Sequence, residues 1–318
     1  MASEFDLIAR YFTRAPRTAL LGVGDDCALV KQPDGLALAI TTDMLVEGVH
    51  FFPGADPRAL GHKTLAVNLS DLAAMGAEPR WATLAIALPR AEEPWVAAFA
   101  SGLFALAERQ GVELIGGDTT RGPLTMSMTL IGLSPPGLAL RRDGAQATDD
   151  LWLSGCTGEA ALAVMRRRDE IEQSAELARQ CDLRLDLPQP RVALGIALRG
   201  LASSAIDVSD GLLQDLGHLC DRSQVAAQIE DAAMPRADAV VAAGAAGEQA
   251  LYSGGDDYEL LFTAPSGARA RLAALATRLN ITLTRIGTIT EGQGVQVLAA
   301  DGRRRDFTKF GFDHFAHA

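Results

Sequence analysis

The sequence predicts a mixed α/β protein of two domains, and three observations carry that expectation. Short apolar runs rich in β-branched residues and bounded by Gly or Pro recur along the chain as strands. Segments of helical periodicity fall between them. After the loop-like stretch SPPGLALRRDGAQATDD, residues 134–150, the whole pattern restarts. With 318 residues, 48% of them hydrophobic, the chain can bury more than one core. The expected division is an N-terminal domain over residues 1–137 and a C-terminal domain over 138–318.

Taken in order, GVGDDCALV (22–30) offers an apolar run that reads as a core strand, with Asp25 and Asp26 at its head. Further strands are expected at LALAITTDML (36–45), WATLAIALP (81–89) and LTMSMTLIGL (124–133). Residues 57–75 repeat apolar side chains at helical spacing and stop at Gly76, with Pro79 beyond, a glycine cap followed by a breaker. Residues 94–110 form a second helix ended by Gly111. In the second half, LWLSG turns into the helix EAALAVMRRR. A further helix, a strand at 204–208, another helix and the strands YELLFTA, TRIGTIT and VQVLA complete it. No internal repeat stands out at a fixed period.

Charge narrows the partners. A formal net charge of −11 repels nucleic acid and anionic membrane, so neither is expected to bind. No apolar run approaches the roughly 20 residues of a membrane helix, and MASEFDLIARYF is acidic where a signal peptide is basic, which points to the cytoplasm. Cys27, Cys156, Cys181 and Cys220 lie far apart with no CxxC pair, and read as small core residues.

The acidic residues are less ordinary. Asp43 follows the strand in AITTDML, Asp118 follows ELIGG, Asp207 and Asp210 stand in SAIDVSDGLL, and Asp256 and Asp257 occupy the turn SGGDDYELLF. Asp71 sits near the C-terminal end of a helix, where the macrodipole disfavours negative charge. Thr64, Asn68 and Asp71 fall on one side of that helix, as a solvent-facing polar stripe or as part of a site. Ser209 or Asp210 could equally cap the helix that follows. Carboxylates gathered at ends of apolar segments would repel one another unless divalent cations sit among them. Hard oxygen donors suit Mg²⁺, which bridges carboxylates to substrate phosphates. A nucleotide is the natural guest, with Gly116, Gly117, Arg121 and Arg142 available to its phosphates. No GxxxxGK[ST] loop and no HRDxxxxN or DFG set is present, so P-loop and protein-kinase machinery are excluded.

GVGDDCALV, TTDMLVEGVHF, NLSDLAAMGAEP, LIGGDTTRGP, SAIDVSDGL, SGGDDYELLFT and KFGFDHF together resemble the bacterial thiamine-monophosphate kinase family, of the aminoimidazole ribonucleotide synthetase-like superfamily. The likeness runs in order along nearly the whole chain. It implies a two-domain fold whose N-terminal domain dimerises through a β-barrel-like interface, with ATP and several Mg²⁺ ions serving phosphorylation of thiamine monophosphate. Carried over by motif, it implies metal contacts from Asp26, Thr41, Thr42, Asp43, Asp71, Asp118, Asp207 and Asp210. Asp71 and Asp210 would be catalytic through the metal, with no covalent nucleophile. Gly117, Asp118, Arg142 and Ser209 would meet the nucleotide, and His50, Asp256 and Phe312 the thiamine phosphate. Two departures stand out. Asp256 replaces the family's usual glutamate, and Phe312 stands where Tyr or Trp is common, losing a polar handle.

The rivals are weaker. Selenophosphate synthetase would require a reactive Cys or selenocysteine in a glycine-rich N-terminal segment, and a hydrogenase-maturation factor a C-terminal cysteine, whereas this chain ends DHFAHA. A nucleotide-binding sensor differs from a kinase only in turnover.

Overall fold

The computed structural model describes residues 4–23, 27–307 and 311–312. The chain divides into two compact units, one holding residues up to Leu72 with Ala77–Gly137, the other Ala73–Gly76 with everything from Leu138 onward.

In the first unit a short helix α1 (Glu4–Leu7) passes into a π-helical turn, Ile8–Phe12, followed by β1 (Ala37–Val46), α2 (Pro57–Ala74), β2 (Glu78–Leu88), α3 (Glu93–Gln110), β3 (Glu113–Arg121) and β4 (Thr125–Ser134). The strands form one sheet in the order β1-β4-β2-β3, antiparallel except for the β2–β3 pair. Period-two alternation sorts its side chains onto two faces. One carries Leu45, Met126, Met128, Leu130, Leu84 and Ile86, all buried. The other leaves Leu38, Ile40 and Met44 of β1 exposed, Ile40 by 63%. Helix α2 is buried on nearly every side, which overturns the solvent-facing stripe: Thr64 and Asn68 lie inside. Their polar atoms are satisfied along the helix, Thr64 Oγ1 donating to Leu60 O (2.8 Å) and Asn68 Nδ2 to Thr64 O (3.2 Å).

The run at 22–30 is not a strand among the described residues. Leu21 and Leu29 make an isolated antiparallel bridge, and Leu29 is exposed. Its apolar neighbours Ala28 and Val30 instead pack on Trp81, Ile115 and Leu133, as cover for the sheet rather than members of it. Asp25 and Asp26 lie outside the described residues.

The second unit contains β5 (Asp150–Ser154), α4 (Glu159–Arg167), α5 (Ala175–Asp186), α6 (Val192–Leu198), β6 (Ser204–Val208), α7 (Leu212–Ser223) and β7 (Ala226–Glu230). After these come α8 (Asp238–Ala242), α9 (Ala245–Ser253), β8 (Glu259–Ala264), α10 (Arg269–Leu279), β9 (Leu283–Thr290), β10 (Gly294–Leu298) and β11 (Arg304–Arg305). Its seven strands run β11-β10-β7-β9-β5-β8-β6, with only β10–β7 parallel. Every residue of β5, β6 and β8 is buried, so these strands are covered on both faces and read as continuous rather than alternating apolar runs. The cysteine expectation holds for Cys181 and Cys220, both buried. Cys27 is exposed and Cys156 half-buried. Among the described residues no helix is long and apolar enough to cross a membrane.

Candidate functional site

In the first unit, β1 brings Thr41 and Asp43 to the helix-covered face, two residues apart and therefore on the same side of the strand. Helix α2 meets them there. Thr41 Oγ1 donates to Asp71 Oδ2, and the Asp43 amide donates to Asn68 Oδ1 (3.1 Å). The structure thus gathers Thr41, Asp43, Asn68 and Asp71. Thr42, between the first two, turns its hydroxyl to the opposite face, where it bonds Thr129 Oγ1 at 2.7 Å. Asp43 does not follow the strand, as its sequence position suggested, but lies inside it, because ladder pairing with β4 continues to Val46.

Asp118 is likewise within β3 rather than beyond it, in register with exposed Ala85 and so on the uncovered face. Three strand spacings, about 14 Å, separate β3 from β1 across the sheet. Gly117 beside it has φ +153°, and a Cβ there would stand 1.9 Å from Leu84 O. Only glycine lets the two backbones pass so closely. Gly116, Gly117 and Asp118 edge an open pocket whose other walls include Ile8, Phe12, Leu84 and Ile86. His50, in the turn after β1, accepts the Val46 amide on Nδ1 (3.0 Å), which places the ring proton on Nε2.

The second unit joins its expected residues by backbone bonds. Asp207 is buried in β6, and the chain then turns through Ser209 and Asp210 into α7. Neither side chain caps that helix, whose N-cap is Gly211. The turn carrying Asp256 lies alongside: Asp256 N donates to Ser209 O and Tyr258 N to Val208 O, both at 2.8 Å. Phe312 N donates to Asp210 O (2.9 Å), and Gln214 Nε2 to Phe312 O (2.9 Å). Ser209, Asp210, Asp256 and Phe312 are therefore neighbours. Asp256 (φ 69°) and Tyr258 (φ 51°) both adopt left-handed backbone, a strained pairing that tertiary bonds must hold. Tyr258 Oη donates to Asp256 Oδ1 (2.9 Å). Arg142 is exposed, and its carbonyl accepts from Ser223 Oγ at 2.6 Å.

Two carboxylates beneath these groups escaped the sequence reading of roles. Asp215 Oδ2 accepts the amides of Ser209, Asp210 and Gly211, each at 3.1 Å. Burial, reinforced by the Asp210 charge, pushes its carboxyl up to about 7, against the three amides that favour the ionised form. The signal was available: an aspartate interrupts the apolar face formed by Leu212, Leu213, Leu216 and Leu219. Asp257 offers both oxygens to the Gly158 amide (3.0 Å), and burial holds its carboxyl well above the usual range.

Among the described residues no three His, Cys, Asp or Glu side chains form a group that could hold a metal by themselves. The oxygen donors present still fit Mg²⁺, which takes one or two carboxylates and completes its octahedron with water and substrate phosphate rather than a protein cage.

Residues 24–134 match the family model described as AIR synthase related protein, N-terminal domain, and residues 147–299 the corresponding C-terminal domain model. Thiamine-monophosphate kinase from Salmonella typhimurium is 46% identical, with 98% of each chain covered. The crystal structure of thiamine-monophosphate kinase from Stenotrophomonas maltophilia is also 46% identical and superposes with a TM-score of 0.86, covering 94% of this chain and 95% of that one. A structure of AaThiL complexed with AMPPCP and TMP, 29% identical, gives a TM-score of 0.78 with 98% and 97% covered.

Proposed function

Because the chain belongs to the thiamine-monophosphate kinase family, within the AIR synthase related proteins, we propose that it transfers the γ-phosphoryl group of ATP to thiamine monophosphate, giving thiamine diphosphate and ADP in the last step of thiamine diphosphate synthesis. One observation supports this best. The Ser209–Asp210 turn, assigned to nucleotide and metal, is hydrogen-bonded through its own carbonyls to Asp256 and Phe312, assigned to the acceptor.

The chemistry asks little of a base. A phosphate monoester has a second pKa of about 6 and is already anionic near neutral pH, so transfer needs in-line alignment and charge neutralisation. Asp26, Thr41, Asp43, Asp71, Asp118, Asp207 and Asp210 would hold Mg²⁺, with Thr42 joining through its backbone. Bound Mg²⁺ would supply the countercharge that lets two polyanions approach. Gly117, Asp118, Arg142 and Ser209 hold the nucleotide. Asp256 faces the cationic ring of the acceptor and Phe312 offers it an apolar surface, while His50 presents a protonated Nε2 to its phosphate. Asp71 and Asp210 act through the metal, and no residue serves as a covalent nucleophile.

The working form is a cytoplasmic homodimer in which a second copy covers the face bearing Leu38, Ile40 and Met44. A sheet face this apolar is ordinarily covered. Incubating the protein with ATP and Mg²⁺, with and without thiamine monophosphate, and following ADP and thiamine diphosphate by chromatography tests the activity. ADP release indifferent to the acceptor, with no thiamine diphosphate formed, would sink it.

A further inference from the structure

Asp215 occupies the first turn of α7, 3% exposed, with Leu212, Leu213, Leu216 and Leu219 on the same buried stretch. Packing alone gives no reason for a carboxylate there, since an apolar side chain would avoid its desolvation cost. Its one evident employment is the turn before it. Three consecutive amides, those of Ser209, Asp210 and Gly211, point at a single oxygen. That convergence fixes three successive peptide planes.

The opposite edges of those planes are also occupied. The carbonyl of Ser209 takes the Asp256 amide and that of Asp210 takes the Phe312 amide. Amides are drawn inward to Asp215, and carbonyls are presented outward to the elements assigned to the acceptor. There is no slack between the two turns, because a Cβ on Gly255 would lie 2.4 Å from Ser209 O.

We propose that Asp215 is a positioning residue for phosphoryl transfer: by gathering the 209–211 amides it orients Ser209 and Asp210 and, through their carbonyls, registers Asp256 and Phe312 against them. This rests on the function proposed above. A plain helix cap would behave differently, since its loss would lower stability and leave the kinetics of each folded molecule unchanged.

Asp215→Leu suits the test, because it matches the apolar surroundings while removing every acceptor. The full-length protein should fold, as judged by circular dichroism, while kcat per folded molecule drops roughly 100-fold, the scale of a misplacement of about 1 Å at a reacting centre. The KM values for ATP and thiamine monophosphate should both rise. Asp215→Asn, which keeps an oxygen but no charge, should recover part of the loss. Wild-type kcat and KM values in Asp215→Leu overturn the proposal. If that variant does not fold, Asp215→Asn decides: kcat within twofold of wild type overturns it, and a tenfold or greater fall supports it. Wild-type protein that forms no thiamine diphosphate refutes the functional reading itself, an outcome distinct from an active wild type with indifferent variants.

Discussion

Replacing Arg191 by Met should destabilise the C-terminal unit more than any surface change. Glu259, 1% exposed at the start of β8, accepts from Arg191 Nε (2.6 Å) and Nη2, and from Ser154 Oγ (2.5 Å). The other nearby cation, Arg184, stands 3.8 Å from Oε1 and divides itself with Glu159, too far for a hydrogen bond. Removing Arg191 therefore strands a buried carboxylate with one hydroxyl, where breaking a buried pair costs about 3–5 kcal/mol. Partial relief from Ser154 and Arg184 places the expected loss near the lower end, about 3 kcal/mol, or roughly 6–12 °C in melting temperature for a unit of this size. Urea unfolding followed by circular dichroism measures it. Replacing both residues by Met should return most of the loss, because well-packed apolar side chains need no partner. A loss below about 1 kcal/mol in the single variant would mean that the pair is screened like a surface bridge, and the reasoning would be wrong.

Asp71→Asn should leave the fold intact, costing about 1 kcal/mol for the weakened Thr41 bond, and cut turnover by roughly 10²-fold or more; full activity at ordinary Mg²⁺ would remove Asp71 from the catalytic set. Asp256→Glu should shift the KM for thiamine monophosphate more than that for ATP, and equal shifts would argue against acceptor contact. Burial raises the folded-state pKa of Asp257 above its unfolded value, so its contribution to stability is complete below about pH 4 and is lost as pH rises toward the folded value. Asp257→Asn should therefore gain on wild type in melting temperature as pH climbs, and a pH-independent difference would contradict this. For the homodimer proposed above, the wild-type protein should scatter as two chains and Ile40→Asp as one; a wild-type mass of one chain would refute that dimer, and an unchanged mass in the variant would refute its contact through Ile40.

Periodic elements were legible because periodicity is a local property. The helix expected over 57–75 is Pro57–Ala74, that over 94–110 is Glu93–Gln110, and the strand at 204–208 is Ser204–Val208. Facing and partnership were not local and so were hidden. Nothing near Thr64 and Asn68 in sequence says that α2 is buried on nearly every side. Nothing in GVGDDCALV says that Ala28 and Val30 serve as cover for a sheet built elsewhere in the chain. The carboxylate-rich motifs announced themselves by composition, yet which of Thr41 and Thr42 meets α2 is visible only once the helix is packed on the sheet. Asp215 could be suspected only as a polar intruder in an apolar face, its amide partners being visible solely in three dimensions.

Strand β1 does two jobs on alternate residues: odd positions 41 and 43 reach α2, even positions 40, 42 and 44 look the other way. An insertion or deletion of one codon before Thr41 would therefore exchange the roles wholesale, burying Ile40 and Met44 where oxygen is wanted and pushing acid onto the exposed apolar face. Lineages of this enzyme should tolerate length variation in the flanking turns but essentially none between Ala37 and Val46.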